Sequence, residues 1–328
     1  MFSRLIRALI AIIVVLMPAA AWAQAASTGS GQYPNKPIRL IVPFSPGGTN
    51  DILARMVANH LSEKLGESMI VDNRTGADGI IGTDIAVKAR PDGYTLLMLS
   101  SAYVMNPVVR KLPYDTLTAM EFVAKIGASF LVLSVNPSLR VNSVQDLLAV
   151  AKEKPGEITL ASSGGFMYFA SALLKSLSQR DFNIILYKGG APAMIDTIAG
   201  QVNATLAVSV PAIPHLRSGK LKGLGVGTLK RVELLPDLPT LDEAGIKGYD
   251  ASNWYAIATA SGTPRPIVMK LHDEIVKYFT TPEIQKQMTA MGAVLDLKSP
   301  DEMRKLIPLE IDKWTKVAIA AGMPRDVK

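Results

Sequence analysis

The stretch LIVPFSPGGTND, residues 40–51, sets the fold. An apolar run, Leu40 to Phe44, stops at Ser45-Pro46-Gly47-Gly48, and an amphipathic pattern begins at once with Asp51-Ile52-Leu53-Ala54-Arg55-Met56-Val57. A short apolar run, a glycine turn and a helical period together predict strand, turn and helix. Such a junction suits an anion, because the first N–H groups of a helix lack partners within it. No Gly-Lys-Ser/Thr follows, so the lysine and hydroxyl of a nucleotide loop are missing.

Working outward, the same unit recurs. Short β-branched runs alternate with helical patterns: SMIVDN with GTDIAVKAR, FLVLSVNP with SVQDLLAVAKEKPG, ITLASS with FMYFASALLKSLS, FNIILYK with APAMIDTIAG. This alternation predicts an α/β protein built on mostly parallel sheet. Toward the C-terminus, helices are expected at Pro266–Thr280, Pro282–Met291 and Pro300–Ala321, each with proline near its start.

Three further turns resemble the opening one. Gly76-Ala77-Asp78-Gly79 leads toward a helix expected at Thr83, Ser162-Ser163-Gly164-Gly165 precedes one at Phe166, and Lys188-Gly189-Gly190 precedes one at Ala191. In open α/β sheets such turns lie at the carboxyl ends of strands, where ligands bind. Anion contacts at a helix start contribute ~0.3–1 kcal/mol when exposed, and charge-assisted hydrogen bonds ~1.5–3 kcal/mol each. A few of these with some apolar burial reach the roughly 8 kcal/mol of a micromolar complex. Neutral donors in this number suit a carboxylate better than a phosphate, whose chemistry calls for a lysine and a metal-binding acid.

Composition narrows the classes. Residues 1–23 carry Arg4 and Arg7, an apolar stretch from Ala8 to Met17, Pro18 and the small-residue site Ala21-Trp22-Ala23, which reads as an export signal cleaved after Ala23. Residues 24–32, QAASTGSGQ, read as a flexible leader. The chain has no cysteine, so neither disulfides nor a lipidated cysteine is expected. Removing the two signal arginines takes the net charge from +7 to 7 − 2 = +5, a mild excess that favours anionic small ligands. Lysine and arginine never gather into a stripe with aromatics, so nucleic acid is not an expected partner.

Catalytic signatures are missing. His60, His215 and His272 show no metal-ligand spacing, Ser162-Ser163-Gly164-Gly165 is not Gly-x-Ser-x-Gly, and Gly76, Gly79 and Gly82 do not form Gly-x-Gly-x-x-Gly. No metal, no cofactor and no enzyme activity are expected; an exported hydrolase is the weakest of the alternatives.

From Tyr33 to the C-terminus the chain resembles the Bug or TctC family of substrate-binding proteins of tripartite tricarboxylate transporters. The likeness rests on YPNKPIRLIVPFSPGGTNDILAR, VDNRTGADGIIGTDIAVKARPDGYTLLM, KLPYD, YKGGAPAMIDTIAGQV, PHLRSGKLKGLGVGT and LPDLPTLDEAGIKGYDASNWYAI, in that order. The resemblance implies a two-lobed periplasmic receptor of the type II-like binding-protein fold, a monomer, that closes on a small organic mono- or dicarboxylate and delivers it to membrane permease subunits. A ligand sensor docking on a membrane signalling protein would need the same closure and stays open. Lobe 1 is expected at 33–134 plus 253–328 and lobe 2 at 135–252, with crossings near Val132–Asn136 and Asp250–Ile257.

By the same resemblance the ligand lies against Phe44, Ser45, Gly47 and Gly48, against Gly76, Ala77 and Gly79, and against Ser162, Ser163, Gly164 and Gly165. Ser100 and Ser101 after YTLLMLS, Tyr168, Lys188, Gly189 and Trp254 are further candidates. The chain departs from the family's pattern at Gly165-Phe166-Met167-Tyr168-Phe169 and at Ala207-Val208, where relatives carry polar or acidic residues. Apolar residues there argue against an amino acid and for an apolar or aromatic carboxylate. Asp51 is expected to cap the first helix.

Overall fold

The computed structural model describes residues 33–324 and Asp326. The expected signal and leader therefore lie outside the described residues. Residues 33–35 go with the N-terminal unit; the compact body is Lys36–Lys328.

Parallel βα units open and close the sheet. β1 (Ile38–Val42) pairs in parallel with β2 (Met69–Asn73) and β3 (Thr95–Ser100), and between them run α1 (Thr49–Leu65) and, after a 3₁₀ turn at Ala77–Gly79, α2 (Ile80–Val87). The helix therefore starts three residues before the expected Thr83. A second parallel set holds β5 (Thr159–Ser163), β6 (Asn183–Tyr187) and β7 (Ala204–Val208), with α5 (Phe166–Ser178) and α6 (Gly190–Ile198) between them. Two helices, α3 (Ala102–Val109) and α4 (Val144–Glu153), lie between α2 and α5 in the chain.

The middle is antiparallel, against the expectation of mostly parallel pairing. β4 (Met120–Val135) pairs with β9 (Ser252–Ala260) and β10 (Ala293–Lys298) over its first part, and with β7 and β8 (Lys222–Val226) from Leu131 onward. β9 in turn runs antiparallel to β3, giving the order β2-β1-β3-β9-β4-β7-β5-β6. The reason is geometric: strands that pass from one parallel set to the other and back must run in opposite senses. β4 is buried along nearly its whole length, so it is predominantly apolar with scattered polar residues and shows no period of two.

α7 (Ser209–Arg217) follows β7, and the tail supplies α8 (Arg265–Phe279), α9 (Pro282–Met291) and α10 (Pro300–Ala320), within one residue of expectation. α10 carries Trp314 between the edges of Phe166 and Phe169 of α5, at ring separations of 6.3 and 5.8 Å. Those phenylalanines are core residues, and they do not supply the apolar pocket wall that the sequence suggested.

Candidate functional site

Register places the turns. Val42, Asn73 and Ser100 end the parallel strands of one set, and Ser163, Tyr187 and Val208 end those of the other. The glycine turns all follow these carboxyl ends, and one contact shows that the two groups face each other. A Cβ built on Gly164 would come within 2.7 Å of Asp78 Cγ, and nearer still to its Oδ1.

The first turn is braced by its own helix. Gly48 is the N-cap of α1, in extended backbone and with no side-chain cap. Asp51 does not cap: one turn in, its Oδ2 accepts from Gly47 N and from Arg55 Nε, both at 3.0 Å, while its Oδ1 accepts from Asn73 Nδ2 at 3.0 Å. Asn73 Nδ2 also donates to Phe44 O at 3.0 Å. Burial opposes the Asp51 charge, but hydrogen bonds from Arg55, Gly47 and Asn73, with the Arg55 charge, outweigh it and hold the carboxyl below its usual range. The Gly47 N–H is thereby committed within the protein. At the surface of the turn stand the half-buried Gly48 and the exposed Ser45, while Thr49, Asn50 and Asp51 at the start of α1 are buried and their amides lack partners within the helix.

The second turn holds two of the three non-glycine residues with positive φ among the described residues. Gly76, Ala77, Asp78 and Gly79 all have positive φ, at 134°, 47°, 54° and 89°. Left-handed backbone costs a non-glycine residue roughly 1–2 kcal/mol, so neighbours must hold it. The Phe44 ring lies against Gly79. Asn106 Nδ2 donates to Asp78 O at 3.1 Å, and Arg110 Nη2 donates to Asp78 Oδ2 at 2.5 Å.

In the third turn Gly165 is the N-cap of α5, again without a side-chain cap. Ser163 is half-buried, its hydroxyl 3.1 Å from Met167 Sδ. Ser162 is fully buried and turned inward, donating to Ser163 O and accepting from Ser171 Oγ. In the fourth turn Lys188 is exposed, Gly189 is the uncapped N-cap of α6, and Gly190 packs on Met167. α6 starts at Gly190, one residue before the expected Ala191.

The remaining candidates support the floor. Ser100 and Ser101 are buried, not a solvated loop. Ser101 N donates to Asn253 Oδ1 at 3.2 Å and Ser101 Oγ accepts from Trp254 N at 2.9 Å, stapling β3 to β9. Asn253 Nδ2 donates to Tyr255 OH, which meets Ser129 Oγ at 2.7 Å. Burial pushes the Tyr255 phenol up to about 12, despite hydrogen bonds with Ser129, Thr49 and Asn253. Thr49 is the first residue of α1, so this buried network ties the first turn to the central strands. Trp254 is 3% exposed and packs in the main core. Tyr168 lies elsewhere, in a groove of about 580 Å³ lined also by Lys175, Phe182, Leu186 and the end of α10.

Sequence reasoning passed over Asn73, Asp78, Asn106 and Arg110. Only Asp78 left a local signal, an acid between two glycines. Among the described residues no cluster of His, Cys, Asp and Glu is arranged to hold a metal ion, and no helix is long and apolar enough to cross a membrane.

Comparison with known proteins settles the family. Residues 53–323 match the family model for the tripartite tricarboxylate transporter family receptor. The chain belongs to this family. It is 34% identical to protein BugT of Bordetella pertussis over 303 residues, covering 91% of this chain and 93% of that one. Among solved structures, R. palustris Rpa4515 with adipate superposes with a TM-score of 0.86 at 33% identity, over 89% of this chain and 99% of that one. The periplasmic binding protein BugD superposes with a TM-score of 0.84 at 30% identity, over 90% and 100%. The family is one of solute-binding receptors, not enzymes.

Proposed function

We propose that this receptor works in the periplasm, after cleavage of residues 1–23, and closes on a small organic carboxylate that it hands to the permease subunits of a tripartite transporter. The supporting observation is the meeting of Asp78 with Gly164. It brings glycine-started, uncapped helices from two parallel sets around one space.

In this reading one lobe is roughly 33–134 plus 253–328 and the other 135–252. β4 changes partners between Phe130 and Leu131, slightly before the suggested crossing, and the return runs through Ala251 into β9. The ligand carboxylate sits beside Gly48 at the uncapped start of α1, and its far end meets the turn at 76–79 and the start of α5. Because the ligand touches both lobes only when they are closed, its differential affinity sets the closed population. The similar protein Rpa4515 was solved with adipate, itself a small organic carboxylate.

A thermal-shift screen of organic acids, followed by calorimetry on the hits, tests this. Micromolar binding of at least one carboxylate, lost in Gly48→Val, is expected. A panel in which no carboxylate binds, or a liganded crystal with the solute away from Gly48 and Gly164, would overturn it.

A further inference from the structure

Asp78 has two unusual properties together. It holds left-handed backbone at φ 54°, ψ 35°, which glycine adopts without strain and aspartate tolerates better than most residues. It also sends its side chain across the cleft, where Oδ1 is the atom nearest the space beside Gly164 while Oδ2 is taken by Arg110. The carboxylate thus stands at the start of α5, whose N-cap Gly165 supplies no side-chain acceptor and whose early amides attract negative charge. Arg110, with its side chain 45% exposed, braces the carboxylate from the solvent side.

We infer that Asp78 fills the anion position that the second lobe would otherwise offer to a ligand's distal carboxylate, so that this receptor selects monocarboxylates over dicarboxylates. The inference rests on the proposed carboxylate site at Gly48. A second ligand carboxylate arriving at α5 would meet Asp78 Oδ1 at close range; Arg110 on Oδ2 offsets part of the charge, but Oδ1 takes up the space itself and the two like-charged groups still disfavour each other there. A ligand with an uncharged distal end meets no such repulsion. Glycine at position 164 follows from the same geometry, because any side chain there collides with Asp78.

The test uses the mature full-length receptor and acid pairs matched in chain length: butyrate with succinate, hexanoate with adipate, 3-hydroxybutyrate with malate. Calorimetry should show each bound monocarboxylate favoured over its dicarboxylate partner by about tenfold or more, the equivalent of about 1.4 kcal/mol. Asp78→Gly, which suits the backbone, should shrink or invert that ratio. Asp78→Asn, which keeps the shape without the charge, should move it the same way, and thermal unfolding of both ligand-free variants checks that they fold. Dicarboxylates bound as tightly as their partners by the unmodified protein, or a ratio unmoved in both variants, would overturn the assignment while leaving the carboxylate receptor intact. Binding of no acid in any pair would defeat the receptor reading itself.

Discussion

The starts of α4 and α1 solve one problem in opposite ways. At α4, Ser143 accepts from Asp146 N at 3.0 Å and Asp146 returns a bond to the Ser143 amide, a complete capping box. α10 begins likewise at Ser299 and Glu302. At α1, α2, α5 and α6 the N-cap is glycine and no side chain caps. Position explains the split: α4 follows Val135, which pairs with Ala204 at the amino end of β7, the edge opposite the turns. Replacing a capping side chain by glycine costs only a few tenths of a kcal/mol. A helix start left open at the carboxyl edge therefore loses little stability and keeps its amides for another acceptor.

If that division holds, filling the open side should destroy recognition. The largest effect is expected for Gly164→Val. Its side chain would strike the Asp78 carboxylate and displace it into the proposed site, so affinity should fall by roughly a hundredfold or more, about 2.7 kcal/mol or above, in calorimetry. Gly48→Val should follow, with a comparable loss but a cleaner background. Position 48 has φ −80°, and a Cβ there meets only Ser45 O, at 3.6 Å, so the unfolding midpoint should stay within about 2 °C, less than 1 kcal/mol. Unchanged affinity in both variants would place the ligand elsewhere.

Asp51 lies between the two classes. Sequence logic makes it a cap, and a cap would matter to stability alone. In the structure it holds the Gly47 amide and Asn73, so it shapes the turn of the proposed ligand site. Asp51→Asn should cost about 1.5–3 kcal/mol of stability, the range for hydrogen bonds to a charged group, and lower affinity several-fold. The carboxyl is held below its usual range when folded, so its contribution is complete above the unfolded value and disappears as pH falls through the folded one. Acid unfolding curves should show that loss in the unmodified protein and not in Asp51→Asn. Curves that superpose would remove Asp51 from the account.

Local pattern made half of this molecule legible. Strand, turn and helix at 38–65 and the three tail helices follow from period and punctuation, because one face of each element is buried and the other is wet. β4 hid its first ten residues: Glu121, Lys125 and Gly127 interrupt an apolar run that is buried on both faces, so no period of two appears. α3 hid behind Pro107, and β10 behind the charged end of LDLK. Antiparallel pairing across β9 and β4 joins residues more than a hundred positions apart, and no local signal carries that. The site divided in the same way. Glycine turns announced themselves, whereas Asp78 is meaningful only beside Arg110 and Gly164, which the sheet brings to it.

The smallest effect belongs to the closed side of the comparison. Ser143→Ala removes one acceptor from the start of α4 and leaves the Asp146 carboxylate bound to backbone amides at Asn142 and Ser143. Stability should fall by about 1 kcal/mol, a drop of roughly 2–4 °C in the unfolding midpoint for a body of this size. Affinity should not move, because the Asp146 turn sits at the amino edge of the strands, opposite the glycine turns of the proposed site. An affinity change of more than about twofold in Ser143→Ala would mean that the two edges of the sheet are coupled, and that a helix start can influence recognition without lying at the proposed site.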